Sequence, residues 1–182
     1  ADCTVAIVGA TGAIGQALSL LCAERAGELV LIGNPQVAET SIGRLQVLAQ
    51  DCKRHVRSRA ASGHTFRPGS FAERSARRAG AERAGADDGV TITTDIDRHL
   101  PRAHVVLTAT NAVLPFISAR HLRHGVVVCD VSPPFNVAPN LSGERPDVRV
   151  VDGGLVRAPD ASLLGLLEEP ERSNVLLACA AE

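Results

Sequence analysis

The chain has no methionine, no tyrosine and no tryptophan, and four phenylalanines supply all of its aromatic rings. A reduction that relies on a tyrosine acid is therefore excluded within these 182 residues. Lys53 stands alone against eighteen arginines, so a mechanism built on a core lysine is excluded as well. Charge bias is also missing. The net charge of -1 gives no global attraction to nucleic acid or to an anionic membrane. No apolar run approaches the length of a bilayer span, and no basic leader with a long apolar stretch opens the chain. The cysteines are few, odd in number and scattered: Cys3, Cys22, Cys52, Cys129 and Cys179. Such a set argues against a disulfide framework and for a reducing, cytoplasmic setting. With no Met at its start and a helical pattern broken off at LLACAAE, the chain is expected to be a piece of something longer, with flanking domains missing.

What is present alternates. Thr4–Val8 is a short β-branched apolar run suited to a buried parallel strand. Ala13–Arg25 carries apolar residues at helical spacing, Glu28–Ile32 reads as a second buried strand, and Ser41–Val56 as a second helix. Further strands are expected at Val90–Thr93, His104–Ala109, Val126–Val131 and Val148–Val151, with helical segments at Asp95–Leu100 and Pro115–Arg123. Residues 57–89 are rich in Arg, Ala, Gly and Ser and poor in large apolar side chains. They read as a mobile surface insertion, with a polar helix at Phe71–Ala84. Strands alternating with helices predict a single α/β domain over 1–182, a doubly wound parallel sheet of the Rossmann-like, NAD(P)-binding kind. Its ligand belongs beyond the carboxyl ends of the strands. Those ends carry Gly33-Asn34-Pro35, Ala109-Thr110-Asn111, Asp130–Pro134 and Asp152–Gly154, small and polar as a lined crevice would be.

The first such end is GATGAIG. Gly9 permits a tight strand-to-helix turn, Gly12 leaves room for a phosphate against the backbone, and Gly15 lets the helix lie close to the strand. A helix start has unpaired N–H groups and partial positive charge, so a pyrophosphate is stabilised there twice over. Thr11 adds a hydroxyl. The second strand ends Ile32-Gly33-Asn34 with no carboxylate to repel a 2′-phosphate, which favours NADP(H) over NAD, with Arg44, or Lys53 and Arg54, as sources of positive charge. The cofactor-binding set expected from these residues is Gly9, Thr11, Gly12, Gly15, Asn34, Ala109, Thr110, Asn111 and Asp130.

The segment EEPERSNVLLACAAE, 168–182, reads as the start of a C-terminal helix, with Pro170 in its first turn and acidic residues suited to the dipole. Val175, Leu176 and Cys179 then share a face. A single cysteine on an apolar face is as a rule a small buried hydrophobe. A nucleophile would need exposure and a lowered pKa.

GATGAIG, VVVCDVSPPFNV, VRVVDGGLV and PERSNVLLACAAE, in this order, resemble the reductase domain of the long-chain fatty acyl–acyl-carrier-protein reductases. The resemblance implies NADPH-dependent reduction of an acyl thioester, on acyl carrier protein or coenzyme A, to an aldehyde. It implies Cys179 as the acyl-accepting nucleophile and Gly9, Thr11, Gly12, Ala13, Ile14 and Gly15 as the cofactor cradle. The sequence departs from that family after strand two, where Gly33-Asn34-Pro35 replaces a basic residue, and at Asp130–Asn136, where tyrosine-like and lysine-like positions are lost. An oxyanion stabiliser is sought at the Gly153-Gly154 amides or the Asn111 side chain.

Two other readings are compatible with the same residues. One is an NADP dehydrogenase domain of the shikimate or methylene-tetrahydropterin type, its catalytic lysine lying elsewhere. The other is a non-catalytic NADP-binding module of a larger synthase. No metal site is expected. His121 and His124 lie near Cys129, but Cys129 falls in a strand and no C-x-x-C is present. The arginine-rich insertion lacks interleaved aromatics and does not point to nucleic acid. A homo-oligomer is compatible with the sequence but not specified by it.

Overall fold

Every residue of β1, Thr4–Val8, is buried, which requires cover on both faces of the strand. The structure, a computed structural model, describes residues 3–61, 89–157 and 175–177. It supplies that cover with a six-stranded, all-parallel sheet flanked by helices, a doubly wound Rossmann-like arrangement. The strands are β1, β2 (Glu28–Ile32), β3 (Val90–Thr93), β4 (Val105–Thr108), β5 (Val127–Asp130) and β6 (Arg149–Asp152), in the order β3-β2-β1-β4-β5-β6. β1 therefore lies between β2 and β4, and the chain reverses its direction of travel across the sheet there. This is the switch point at which α/β sheets open a crevice.

Successive side chains of a strand point to opposite faces. Val5, Ile7, Leu29 and Leu31 face α1 (Ala13–Ala23) and α2 (Ala38–Ala61). α2 buries Ser41, Leu45, Leu48, Ala49 and Cys52, a stripe at helical spacing. Ala6, Val8, Val30, Ile32, Val106 and Val128 face the opposite layer. That layer is built from short pieces: α3 (Ile96–His99), 3-10 turns at Leu100–Arg102 and Ala119–His121, and α4 (Leu141–Glu144). Asp95 caps α3 by accepting from the Arg98 N–H at 3.0 Å.

The local structure differs from the sequence pattern in three places. α2 runs on to Ala61, so its helix takes in residues 57–61 of the expected insertion. Arginine and alanine favour helix. Arg59 and His55 also reach Glu24 beyond α1, at 2.8 and 2.7 Å, and tie the two helices together. The rest of the insertion, with the expected helix at 71–84, lies outside the described residues. Pro115–Arg123 forms one 3-10 turn instead of a helix. The N–H groups of Phe116 and Ile117 both donate to the Asn136 carbonyl, and Ala138 N–H donates to Ile117 O, so this backbone pairs with a distant loop. Finally, Val175–Leu177, expected in a helix, forms β8, antiparallel to β7 (Leu155–Arg157), with Val156 opposite Leu176. A short apolar run is ambiguous between the two states, and a strand partner decides it. Among the described residues no helix is long and apolar enough to cross a membrane.

Candidate functional site at the switch point

The turn from β1 into α1 is closed by contacts that only glycine allows. Gly9 has φ +83°, and a Cβ there would stand 2.3 Å from the Ala109 carbonyl oxygen at the end of β4. A Cβ on Gly15 would stand 2.2 Å from the Gly9 carbonyl oxygen. Gly12 is different. A Cβ there would meet nothing nearer than 3.5 Å, and the residue is exposed along with Ala13 and Ile14. Gly12 is the N-cap of α1 and brings no side chain to the helix start. The N–H groups of Ala13, Ile14 and Gly15 have no intrahelical acceptor at that position. An 11-residue helix thus presents open donors at the sheet's switch point, a geometry suited to an anion.

The flanking strand ends divide into those turned outward and those used internally. Asn34, after β2, is exposed, and its side chain accepts from the Gln36 N–H at 2.8 Å. Ser41 Oγ donates to the Asn34 carbonyl at 3.1 Å, which brings the first turn of α2 against this strand end. Arg44 is exposed three residues further on. Lys53 begins about 18 Å along the helix from Ser41, at 1.5 Å per residue. Arg54 pairs with Asp51. Of the three cations proposed from sequence, the helix therefore brings Arg44 alone near the end of β2.

Asp130 ends β5 and is 1% exposed. Its carboxylate accepts from Thr108 Oγ1 at 2.5 Å and from the N–H groups of Ser132, Asn136 and Val137 at 3.0, 2.6 and 3.1 Å. With four donors around it, this carboxylate folds the loop 131–137 around itself. It is a structural anchor beneath the crevice and has no oxygen left for a ligand. Its neighbour Thr110 is committed as well: its N–H donates to Ser132 Oγ at 3.0 Å and its hydroxyl to Asn136 Oδ1 at 2.6 Å. Ala109 donates its N–H to Val8 O at 2.9 Å and forms the wall behind Gly9. Asn111 is exposed at the mouth.

The two amides expected to stabilise an oxyanion are occupied. Gly153 N–H donates to Asp130 O at 2.8 Å, and Gly154 N–H to Asp152 Oδ1 at 2.9 Å. A Cβ at Gly153 would also stand 2.6 Å from Cys129 Sγ, so close packing explains this glycine. Asn111, the other residue considered there, is exposed.

Cys179 lies outside the described residues. The internal cysteines are poor nucleophiles: burial pushes the thiols of Cys22 and Cys129 up, and that of Cys52 up to about 11. His121 and His124 do not converge with Cys129. His121 is buried against Ser118 and Asp97, whereas His124 is exposed and lies 4.0 Å from Asp147. Among the described residues no group of three or more His, Cys, Asp or Glu is placed to hold a metal.

A cavity of 540 Å³ opens beside this crevice, at the carboxyl ends of β5 and β6, between the loop after β5 and α4. It does not include the glycine loop. Sequence reasoning missed the cavity, because Val150 on β6 and the Pro134–Pro139 loop meet only in three dimensions.

No protein-family model matches the chain. A stretch of 76 residues is 36% identical to part of an aminotransferase, PigE, of Serratia sp. (strain ATCC 39006). The stretch covers 42% of this chain and spans 9% of that protein.

Proposed function

We propose that the domain binds NADP(H) across the β1–β4 switch point and reduces an acyl thioester to an aldehyde through a cysteine acyl-enzyme. The observation that carries the reading is the contrast within the glycine loop. Gly9 and Gly15 are held by backbone contact, while the space over Gly12 is open and faces unpaired helix donors. A pyrophosphate fits that cradle without displacing a side chain. Gly9–Gly15 hold the diphosphate, Asn34 and Arg44 lie on the adenosine side, and Ala109–Asn111 line the nicotinamide side. When bound, the reduced nicotinamide supplies the hydride for the acyl carbon.

The chain's own part is acyl transfer. The Cys179 thiolate attacks the thioester carbonyl, forming a C–S bond, and the carrier thiolate of acyl carrier protein or coenzyme A leaves and takes up a proton. Asn111 donates to the carbonyl oxygen as negative charge gathers there. Release of the aldehyde returns the thiolate. The thiols of Cys22, Cys52 and Cys129 are held protonated and do not compete for this role. The likeness to part of PigE covers too little of that protein to lend its activity to this chain.

The test is an NADPH titration of the wild type and Gly12→Val. An isopropyl group over the cradle is expected to weaken NADPH by at least tenfold, about 1.4 kcal/mol, with the melting temperature retained. Equal affinity in the two proteins would remove the nucleotide reading. Incubation with an acyl thioester in the absence of NADPH should leave an acyl group on Cys179, read by mass spectrometry.

A further inference from the structure

The nucleotide reading does not account for the 540 Å³ cavity at the ends of β5 and β6. Its size lies within the range of about 300–1,000 Å³ typical of small-molecule sites. Its wall is the rings of Pro134, Phe135 and Pro139 with the side chains of Val137, Val150 and Val151. Among the described residues no cation lines it, and the two carboxylates that do are both engaged. Asp130 is surrounded by four donors, and Asp152 Oδ1 accepts from Gly154. An anionic group placed there would face two carboxylates with no counter-charge, and a cation would give up its hydration to an apolar wall. The rim is apolar too. Phe135 is 50% exposed, and Val113 and Leu114, on the chain leading to Pro115 in the wall, are 78% and 75% exposed. Such a patch beside a crevice marks a place for apolar surface to bind.

We infer that this cavity seats an uncharged aliphatic chain, the acyl tail of the thioester substrate. The identity of the tail rests on the reductase reading; the apolar site does not. Ser142 is exposed on α4 and lies in the wall, so a larger side chain there would take up part of the volume.

F135W tests this directly, because it gives the protein a sole tryptophan at the cavity. Titration with straight-chain primary alcohols from butanol to decanol should shift its emission to the blue and saturate. Each added methylene is expected to tighten binding by about fourfold until the cavity is full. Ser142→Phe in the same background should weaken decanol by at least tenfold and butanol little. Leu114→Trp, at a more exposed rim position, serves as reporter should F135W fail to fold. No response to decanol, or equal affinity for butanol and decanol, overturns the inference. So does an emission already blue-shifted and insensitive to any alcohol, which would mean that the chain's own residues fill the cavity. The alcohols need no cofactor. Decanol saturation without NADPH binding keeps the apolar site and removes the reductase reading; NADPH binding without a decanol response does the reverse.

Discussion

Thr108 Oγ1 and Asp130 Oδ1 lie 2.5 Å apart on the adjacent strands β4 and β5, both fully buried. The hydroxyl is one of four donors to a carboxylate that also holds three backbone N–H groups, so the loop after β5 owes its shape to a single side chain. Asp130→Asn turns one acceptor into a donor among buried donors. The expected loss is about 3 kcal/mol of stability, measured by urea denaturation. A loss below about 1 kcal/mol would mean that the loop holds its shape without the carboxylate.

Gly15→Ala sets two effects against each other. Alanine raises helix propensity by about 1 kcal/mol over glycine. Its Cβ would meet the Gly9 carbonyl at 2.2 Å, and backbone cannot yield as a flexible side chain does. Overpacking of this kind costs about 1–3 kcal/mol. The net expectation is destabilisation with weakened NADPH binding, where Gly12→Val affects binding alone. Thermal melts of the two variants side by side separate the cases.

His121 is 2% exposed, and its Nδ1 accepts from the Ser118 N–H at 3.0 Å. A second ring proton would confront that N–H. Burial, and then the charge of Arg120, hold the imidazole below its ordinary 6.5, with Asp97 opposing in part. The unfolded chain therefore takes up a proton near pH 6.5 that the fold resists. The stabilising contribution is complete above that pH and declines as pH falls below it. The wild type should melt lower at pH 5.5 than at 7.5, and His121→Gln should show a smaller difference. Parallel shifts in the two proteins would assign the drop to other groups.

Burial raises the thiol pKa of Cys22, Cys52 and Cys129. At pH 7.5 iodoacetamide should modify these three slowly and Cys179 fastest, as mapped by peptide mass spectrometry. NADPH should slow the reaction at Cys179. Equal rates at all four would show that Cys179 has no special reactivity.

Much of the architecture was legible because parallel strands buried on both faces announce themselves as short apolar runs. ELVLI needed no partner to be read, VTIT was read from its β-branched residues although it is a half-buried edge strand, and the switch point followed from strand number. The glycine loop was legible from its spacing between a strand and a helix, although the carbonyl that crowds Gly9 belongs to Ala109, a hundred residues away. The Pro115–Arg123 segment was not, since its backbone is claimed by Asn136 across the sequence. The same holds for Asp130, whose side chain faced inward to the residues 131–137 and across to Thr108. It also holds for the Gly153 and Gly154 amides, which a sequence shows as small residues but not as donors already in use. Val175–Leu177 joined a strand because Leu155–Arg157 was there to pair with it.

The hydrogen bonds from Thr110 to Ser132 and Asn136 fasten the turn after β4 to the turn after β5. Displacing either turn alone would break these bonds, so the pair is braced from both sides of the crevice. Val113 and Leu114, both exposed, follow directly on this fastened pair of turns, so apolar surface is displayed beside a braced frame.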